Sequence, residues 1–89
     1  MTSYKVLPEV SYRNVGDEVF LLNRNESSVY NLNATAAYLF KEIQTGKTVE
    51  EVVSDFCSLY DVDFETAHKD LMDLIHQLVN KKMIVPVDL

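Results

Sequence analysis

Residues 28–53, SVYNLNATAAYLFKEIQTGKTVEEVV, contain the change of pattern that decides the fold. The first five residues alternate, with Tyr30 and Leu32 on one face of an extended chain and Val29 and Asn31 on the other, which is the period of a β-strand. The apolar residues that follow recur at helical spacing instead. A strand that runs directly into helices predicts a mixed α+β fold.

Three helices are predicted after this strand, and each begins at a capping residue. Asn33 is a candidate N-cap for the first helix, and Asp63 for the third. Thr48 and Glu51 have the spacing of a capping box at the start of the second. The helices are therefore expected at Ala34–Ile43, Val49–Tyr60 and Phe64–Lys82, and the second should bury Val49, Val52, Val53, Phe56 and Tyr60.

The residues before position 28 predict two more strands, around 10–13 and 18–22. The segment 14–17 contains turn residues, and 23–27 is a polar loop of hairpin length. The expected fold class is α+β, with a three-stranded antiparallel sheet followed by a three-helix bundle, as one domain over residues 1–89. A short final strand, Met83 to Val85, is expected to end at Pro86.

Composition excludes several classes of protein. The 89 residues carry a net charge of −6, from 14 acidic and 8 basic residues. This charge argues against nucleic-acid binding, which depends on clustered Lys and Arg. Neither a signal peptide nor an apolar stretch of membrane-spanning length is apparent, so a cytoplasmic protein without membrane contact is expected.

The third helix has more apolar surface than a core requires. Its apolar residues fill an arc of roughly 160°, whereas a stripe of about 100° is enough to reach a core. The excess, here called the apolar flank, could be covered by the sheet, by a bound partner or by a second copy of the chain. The apolar flank consists of His68, Met72, Ile75 and Val79.

No constellation of residues indicates catalysis, a cofactor or a metal. His68 and His76 are eight residues apart and do not share a helix face. With Cys57, the single cysteine, they match no known metal-ligand spacing. We therefore expect a non-catalytic protein with no cofactor and no metal.

A succession of short motifs resembles the PqqD-like family. A strand ending in Leu32-Asn33 precedes the helix start at Thr35-Ala36, and residues 46–53 read GKTVEEVV. Tyr60 with Val62-Asp63 breaks the second helix. In the last helix Asp70-Leu71 precedes Leu74 and Leu78. Together these motifs cover about residues 8–85.

This resemblance implies a winged-helix-like arrangement of the sheet and the three helices, and it implies a binding function. Members of the family recognise the leader segment of ribosomally made precursor peptides by strand addition, and present it to a maturation enzyme, commonly a radical S-adenosylmethionine (SAM) protein. The implied partners are therefore a leader peptide and such an enzyme, in pyrroloquinoline quinone (PQQ) biosynthesis or another peptide natural-product pathway. Carried over by position, the peptide site would comprise Ser28, Val29, Tyr30, Asn31 and Leu32 from the strand, and His68, Leu71, Met72, Ile75 and Val79 from the third helix.

Two other functions compete with peptide binding. A winged-helix DNA-binding module has a similar outline, but its recognition helix would need to be basic. A homodimerisation module would use the same strand edge and apolar flank to pair with a second copy. From the residues alone, either flank of the third helix can face the peptide.

Overall fold

The computed structural model describes residues 2–88, which form five strands and three helices. The strands β2, β3 and β4 form an antiparallel sheet in sequence order, and β1 and β5 form a separate antiparallel ribbon. The elements are β1 (Thr2–Val6), β2 (Val10–Val15), β3 (Glu18–Asn23), β4 (Ser28–Leu32), α1 (Ala34–Gln44), α2 (Val49–Tyr60), α3 (Phe64–Asn80) and β5 (Ile84–Asp88). The expected sheet-then-helices architecture is thus confirmed.

The sheet is shaped by its two turns. β2 and β3 are joined by Gly16 and Asp17, with Gly16 at φ 63°, where a two-residue hairpin turn calls for a glycine. The longer turn between β3 and β4 ends at Ser27, which also has a positive φ of 53°. The inner face of the sheet carries Val19, Leu21 and Leu32, all at most 1% exposed.

The helices begin where the capping residues predict. Asn33 Oδ1 accepts the N–H of Ala36 at 2.9 Å. Thr48 Oγ1 accepts the N–H of Glu51 while the Glu51 carboxylate accepts the N–H of Thr48 at 2.8 Å, which completes the capping box. These bonds satisfy N–H groups that have no partner inside the helix.

The hydrophobic core lies between the inner face of the sheet and the helices. Phe40 of α1 is fully buried and meets the ring of Tyr12 edge-to-face, with centroids 5.8 Å apart. Further core side chains come from every helix and from β5: Ala37, Leu39, Ile43, Val52, Val53, Phe56, Ala67, Leu71, Ile75, Leu78 and Ile84.

Three expectations are corrected. Tyr60 is 41% exposed rather than buried, because it is the last residue of α2 and only one side of its ring packs, edge-on, against the rings of Tyr38 and Phe56. The helix α3 ends at Asn80, since Lys82 adopts a left-handed conformation with φ 60°. The strand β5 runs through Pro86, which a strand paired on one side only can accommodate.

The ribbon of β1 and β5 is the element that the sequence patterns missed. Thr2 pairs with Asp88 and Val6 with Ile84, so the two ends of the described chain are held side by side. Tyr4 of β1 lies against α3, next to the apolar flank. The ribbon, and not the three-stranded sheet, therefore lies beside the apolar flank, of which His68 stays exposed.

Asp63, the N-cap of α3, should make folding sensitive to acid. Its Oδ1 accepts the N–H of Thr66 at 2.7 Å, and this bond lowers the pKa of the carboxyl below its ordinary value of 3.8. Because the ionised form is favoured in the folded state, its stabilisation is present above pH 3.8 and is lost as the pH falls through the lowered pKa.

The expected result for Asp63→Asn, which keeps the capping oxygen but cannot ionise, is a stability difference from the parent at neutral pH that shrinks as the pH falls to about 2. Urea unfolding at a series of pH values measures it. A difference that is the same at every pH would contradict this assignment.

Candidate functional site

β4 lies at the edge of the three-stranded sheet, because β3 pairs with it on one side only. An edge strand presents backbone N–H and C=O groups that have no partner within the sheet. In an antiparallel strand these groups alternate in direction, so only every second residue of β4 presents them at the free edge.

The alternation follows from the pairing of β2 with β3. The N–H of Arg24 donates to the carbonyl of Glu9 at 3.3 Å, directly beyond the end of the ladder. Hydrogen-bonded pairs recur at every second residue, so the even-numbered residues of β3 bond β2 and its odd-numbered residues bond β4. In the β3–β4 register, odd residues of β3 face even residues of β4. Val29 and Asn31 therefore direct their N–H and C=O groups outward.

The side chains of β4 divide between the two faces of the sheet. Those of Ser28, Tyr30 and Leu32 lie on the inner face towards the helices, and Leu32 is buried. Those of Val29 and Asn31 lie on the outer face and are exposed. The alternation predicted for these five residues is confirmed.

A groove runs between α3 and the segment from Tyr30 of β4 to Leu39 of α1. It has a volume of about 250 Å³ and is open to solvent along its length. Its deepest apolar residues are Leu39 of α1, 2% exposed, and Leu74 of α3, 7% exposed. The remaining lining residues are Tyr30, Asn33, Thr35, Ala36, Asp70, Asp73 and Gln77.

One end of this groove is closed by contacts between β4 and the end of α3. The hydroxyl of Tyr30 donates to Oε1 of Gln77, and the ammonium of Lys81 lies 5.6 Å from the centroid of the Tyr30 ring. The Oγ of Ser28 donates to the carbonyl of Lys81 at 3.2 Å. These bonds satisfy groups at the helix terminus and set the distance between strand and helix.

Asn23, which is fully buried, strengthens the same end. Its Nδ2 donates to the carbonyl of Lys82, and its Oδ1 accepts the N–H groups of Asn25 at 2.9 Å and Glu26 at 3.1 Å. The side chain therefore joins the turn before β4 to the residues after α3. It holds β4 in position without itself lining the groove.

The other rim of the groove is acidic. Asp70 and Asp73 are exposed residues of α3 on the side that faces β4. Lys69 donates to Asp73 at 3.0 Å, and this hydrogen bond raises the pKa of Lys69. The pair is exposed, so it contributes little to stability.

The helix residues predicted for the site do not line this groove. At 100° per residue, the apolar flank is roughly 180° around α3 from the residues that face β4. Met72 lines a cavity beside Tyr4 on that side of α3. Two of the five predicted helix residues, Leu71 and Ile75, are buried in the core. The other three lie on the ribbon side of α3: His68, Met72 and Val79.

The residues that do face β4 were missed because most of them are polar. Asp70, Asp73 and Gln77 fall outside any apolar stripe, and Leu74 was counted with the core. A helical projection separates these residues from the apolar flank. It does not indicate which side of the helix meets the sheet.

Two further cavities lie along the apolar flank. One of about 390 Å³ is lined by Tyr4, Met72 and His68, among others, and one of about 540 Å³ by Tyr4, Ile75 and Pro86, among others. Within residues 2–88 no three His, Cys, Asp or Glu side chains cluster as metal ligands would. In the same part of the chain no helix is long and apolar enough to cross a membrane.

The fold and the site define the class of protein: a small α+β domain with a free strand edge beside its last helix. The chain belongs to the PqqD family, since the family model described as coenzyme PQQ synthesis protein D (PqqD) matches residues 18–84. The resemblance drawn from the motifs is confirmed. No curated protein matches the chain in sequence.

Two solved structures are similar to this chain. TbiB1 in complex with the TbiA(beta) leader peptide is 31% identical, with a TM-score of 0.85 over 90% of this chain and 93% of that one. A lasso peptide synthetase B1 complexed with the leader peptide is 24% identical, with a TM-score of 0.85 over 93% of this chain and 98% of that one. The second likeness concerns the fold alone.

Proposed function

We propose that this chain binds the leader segment of a ribosomally made precursor peptide and presents it to a peptide-modifying enzyme. The observation that carries the proposal is the free edge of β4, where Val29 and Asn31 direct backbone groups outward beside the groove to α3. Strand addition at such an edge gives affinity through main-chain hydrogen bonds and specificity through side-chain pockets. The similar structure of TbiB1, solved with the TbiA(beta) leader peptide, supports it.

The bound peptide forms a fourth strand of the sheet. It exchanges hydrogen bonds with Val29 and Asn31, and its alternate side chains enter the groove next to Tyr30. There they contact Leu74 and the acidic rim. We retain the strand residues Ser28–Leu32 in the proposed site, and we assign the helix side to Asp70, Asp73, Leu74 and Gln77 in place of the set drawn from the apolar flank.

The chain supplies no chemistry of its own in this proposal. A protein that binds by its backbone needs no catalytic residues, and the modification falls to the partner, such as a radical SAM protein of a PQQ or other peptide natural-product pathway. Ribosomal synthesis of the peptide places the encounter in the cytoplasm.

A DNA-binding function is disfavoured by the surface of α3. Two exposed carboxylates, Asp70 and Asp73, lie on the side of α3 that faces β4, and Lys69 is paired with one of them. A helix that enters the major groove of DNA instead carries Lys and Arg towards the phosphates.

The experiment is a titration of this protein with two fluorescein-labelled synthetic probes, the TbiA(beta) leader and a leader made from the N-terminal part of any short open reading frame found beside its gene. Fluorescence anisotropy should give a dissociation constant on the order of 1 µM or tighter for at least one probe. In a ¹⁵N-labelled sample the amide signals of Val29 and Asn31 should shift on binding. No binding of either probe would refute the proposal, and saturable binding that leaves both amides unchanged would place the site elsewhere.

A further inference from the structure

The outer face of the sheet carries an apolar strip that no helix covers. Phe20 is 38% exposed, Leu22 is 39% exposed and Val29 is 59% exposed. Phe20 and Leu22 are two residues apart on β3, so they share a face, and Leu22 pairs directly with Val29 of β4. These three residues form the outer strip.

The outer strip is asymmetric across the sheet. On the β2 side it ends at polar residues, since Ser11 pairs with Leu22 and Arg13 pairs with Phe20. On the β4 side it ends only because the sheet ends, and its last residue, Val29, is the most exposed of the three. The apolar surface therefore runs up to the free edge and is interrupted there.

The pairing geometry brings an added strand onto this strip. Leu22 and Val29 belong to a non-hydrogen-bonded pair, in which side chains approach each other most closely. A peptide strand would lie about 4.8 Å beyond β4, and the residue opposite Val29 would direct its side chain to the outer face. Its Cβ would be about 5 Å from that of Val29.

We propose that the bound peptide is recognised on both faces: besides the side chains that enter the groove, it carries an apolar side chain on its outer side, which packs on Val29 and extends the outer strip by one strand. This inference rests on the proposed function and specifies the peptide further. A peptide that fits only the groove, with polar residues at every outer position, is a poor ligand.

The test compares two substitutions of the same chemistry on the same face. Val29→Thr keeps the shape and strand preference of valine but exchanges a methyl group for a hydroxyl. Val15→Thr makes the same change on β2, at a residue 51% exposed and two strands away from the free edge. Each variant is titrated with the labelled leader probe that binds the parent. The probe is then varied by serine substitution, one residue at a time.

Val29→Thr is expected to weaken binding about three- to tenfold, while Val15→Thr binds as the parent does. A double-mutant cycle should show that one apolar probe residue loses its contribution in the Val29→Thr protein only. Equal affinities for Val29→Thr and the parent would overturn the inference. So would a cycle in which no probe residue couples to Val29.

Two other outcomes would also overturn the inference and identify a different occupant. If Val29→Thr binds the probe normally but lowers its processing by the partner enzyme, while Val15→Thr does not, the outer strip docks the enzyme. If the parent is a dimer that Val29→Thr dissociates without loss of peptide affinity, the outer strip pairs with a second copy. Failure of strand addition is detected separately by proline substitution at Asn31, which acts on the backbone edge.

Discussion

Asn31→Pro is expected to weaken leader binding about 10- to 100-fold while the protein stays folded. Asn31 directs its N–H to the free edge and away from β3, so proline removes a hydrogen bond of the proposed complex and none of the sheet. The ring also occupies the space where the peptide backbone would approach. Proline is compatible with an edge strand when its nitrogen faces solvent.

The second edge of the sheet offers a matched control. In β2 the residues that bond β3 are the odd-numbered ones, so Asn14 also directs its N–H to solvent. Asn14→Pro makes the same exchange of an exposed asparagine on an edge strand, but at the edge opposite β4. It should bind the probe with the affinity of the parent.

Anisotropy titration of both variants, each with a thermal melt, tests whether the peptide adds as a strand to β4. If Asn31→Pro melts cooperatively and binds as tightly as Asn14→Pro, the peptide does not add to β4. The same would follow if both proline variants lost affinity equally, because the effect would then be general to the sheet.

Asn23→Ala should lower the free energy of unfolding by about 2 to 3 kcal/mol. For a domain of this size such a loss corresponds to a fall in melting temperature of roughly 10 to 20 °C. Asn23 is fully buried and makes three hydrogen bonds, and alanine leaves the Lys82 carbonyl and the N–H groups of Asn25 and Glu26 without that partner. Groups left without partners in a buried site account for the cost.

Two further variants separate the bonds of Asn23. Asn23→Asp keeps an oxygen for the N–H groups of Asn25 and Glu26 but brings a carboxylate against the Lys82 carbonyl. The stability that this variant loses therefore reports on the connection to the end of α3. Asn25→Ala changes an exposed asparagine in the same turn and is the control. Chemical denaturation of the three variants measures the differences. A stability of Asn23→Ala close to that of Asn25→Ala would show that Asn23 does not hold the turn to α3.

The loss of Asn23 should also affect the site. The bond from Asn23 to the Lys82 carbonyl and the bond from Ser28 to the Lys81 carbonyl together hold the start of β4 against the end of α3. Below its melting temperature the Asn23→Asp variant should therefore bind the leader probe more weakly than the parent, although Asn23 does not line the groove.

Local signals were enough to predict the three-stranded sheet and the three helices. Asn33, Thr48 and Asp63 cap the helices that they were expected to cap, because a capping bond spans only three residues. The two faces of β4 follow from the alternation of its side chains, which is a property of the extended backbone. The family, too, is encoded in these short motifs.

Long-range pairing was not predictable in this way. The ribbon joins Thr2 to Asp88, and neither strand has a strong pattern of its own, since the two strands are stable only against each other and against α1 and α3. Pro86 was expected to end the last strand because the pairing of that strand with β1 could not be predicted from local patterns. A proline ends a strand in the interior of a sheet, and only the tertiary structure shows that β5 is paired on one side.

The helix side of the site depended on the same long-range contacts. By itself, the sequence determined which residues of α3 are apolar, which strand precedes the helices and which side chains of that strand share a face. Only the tertiary structure decided that the ribbon lies beside the apolar flank and that Asp70, Leu74 and Gln77 line a groove with Tyr30 of β4. Helical periodicity specifies the angles between residues around the helix axis. Which side of the helix meets the sheet is set instead by the packing of elements distant in the chain.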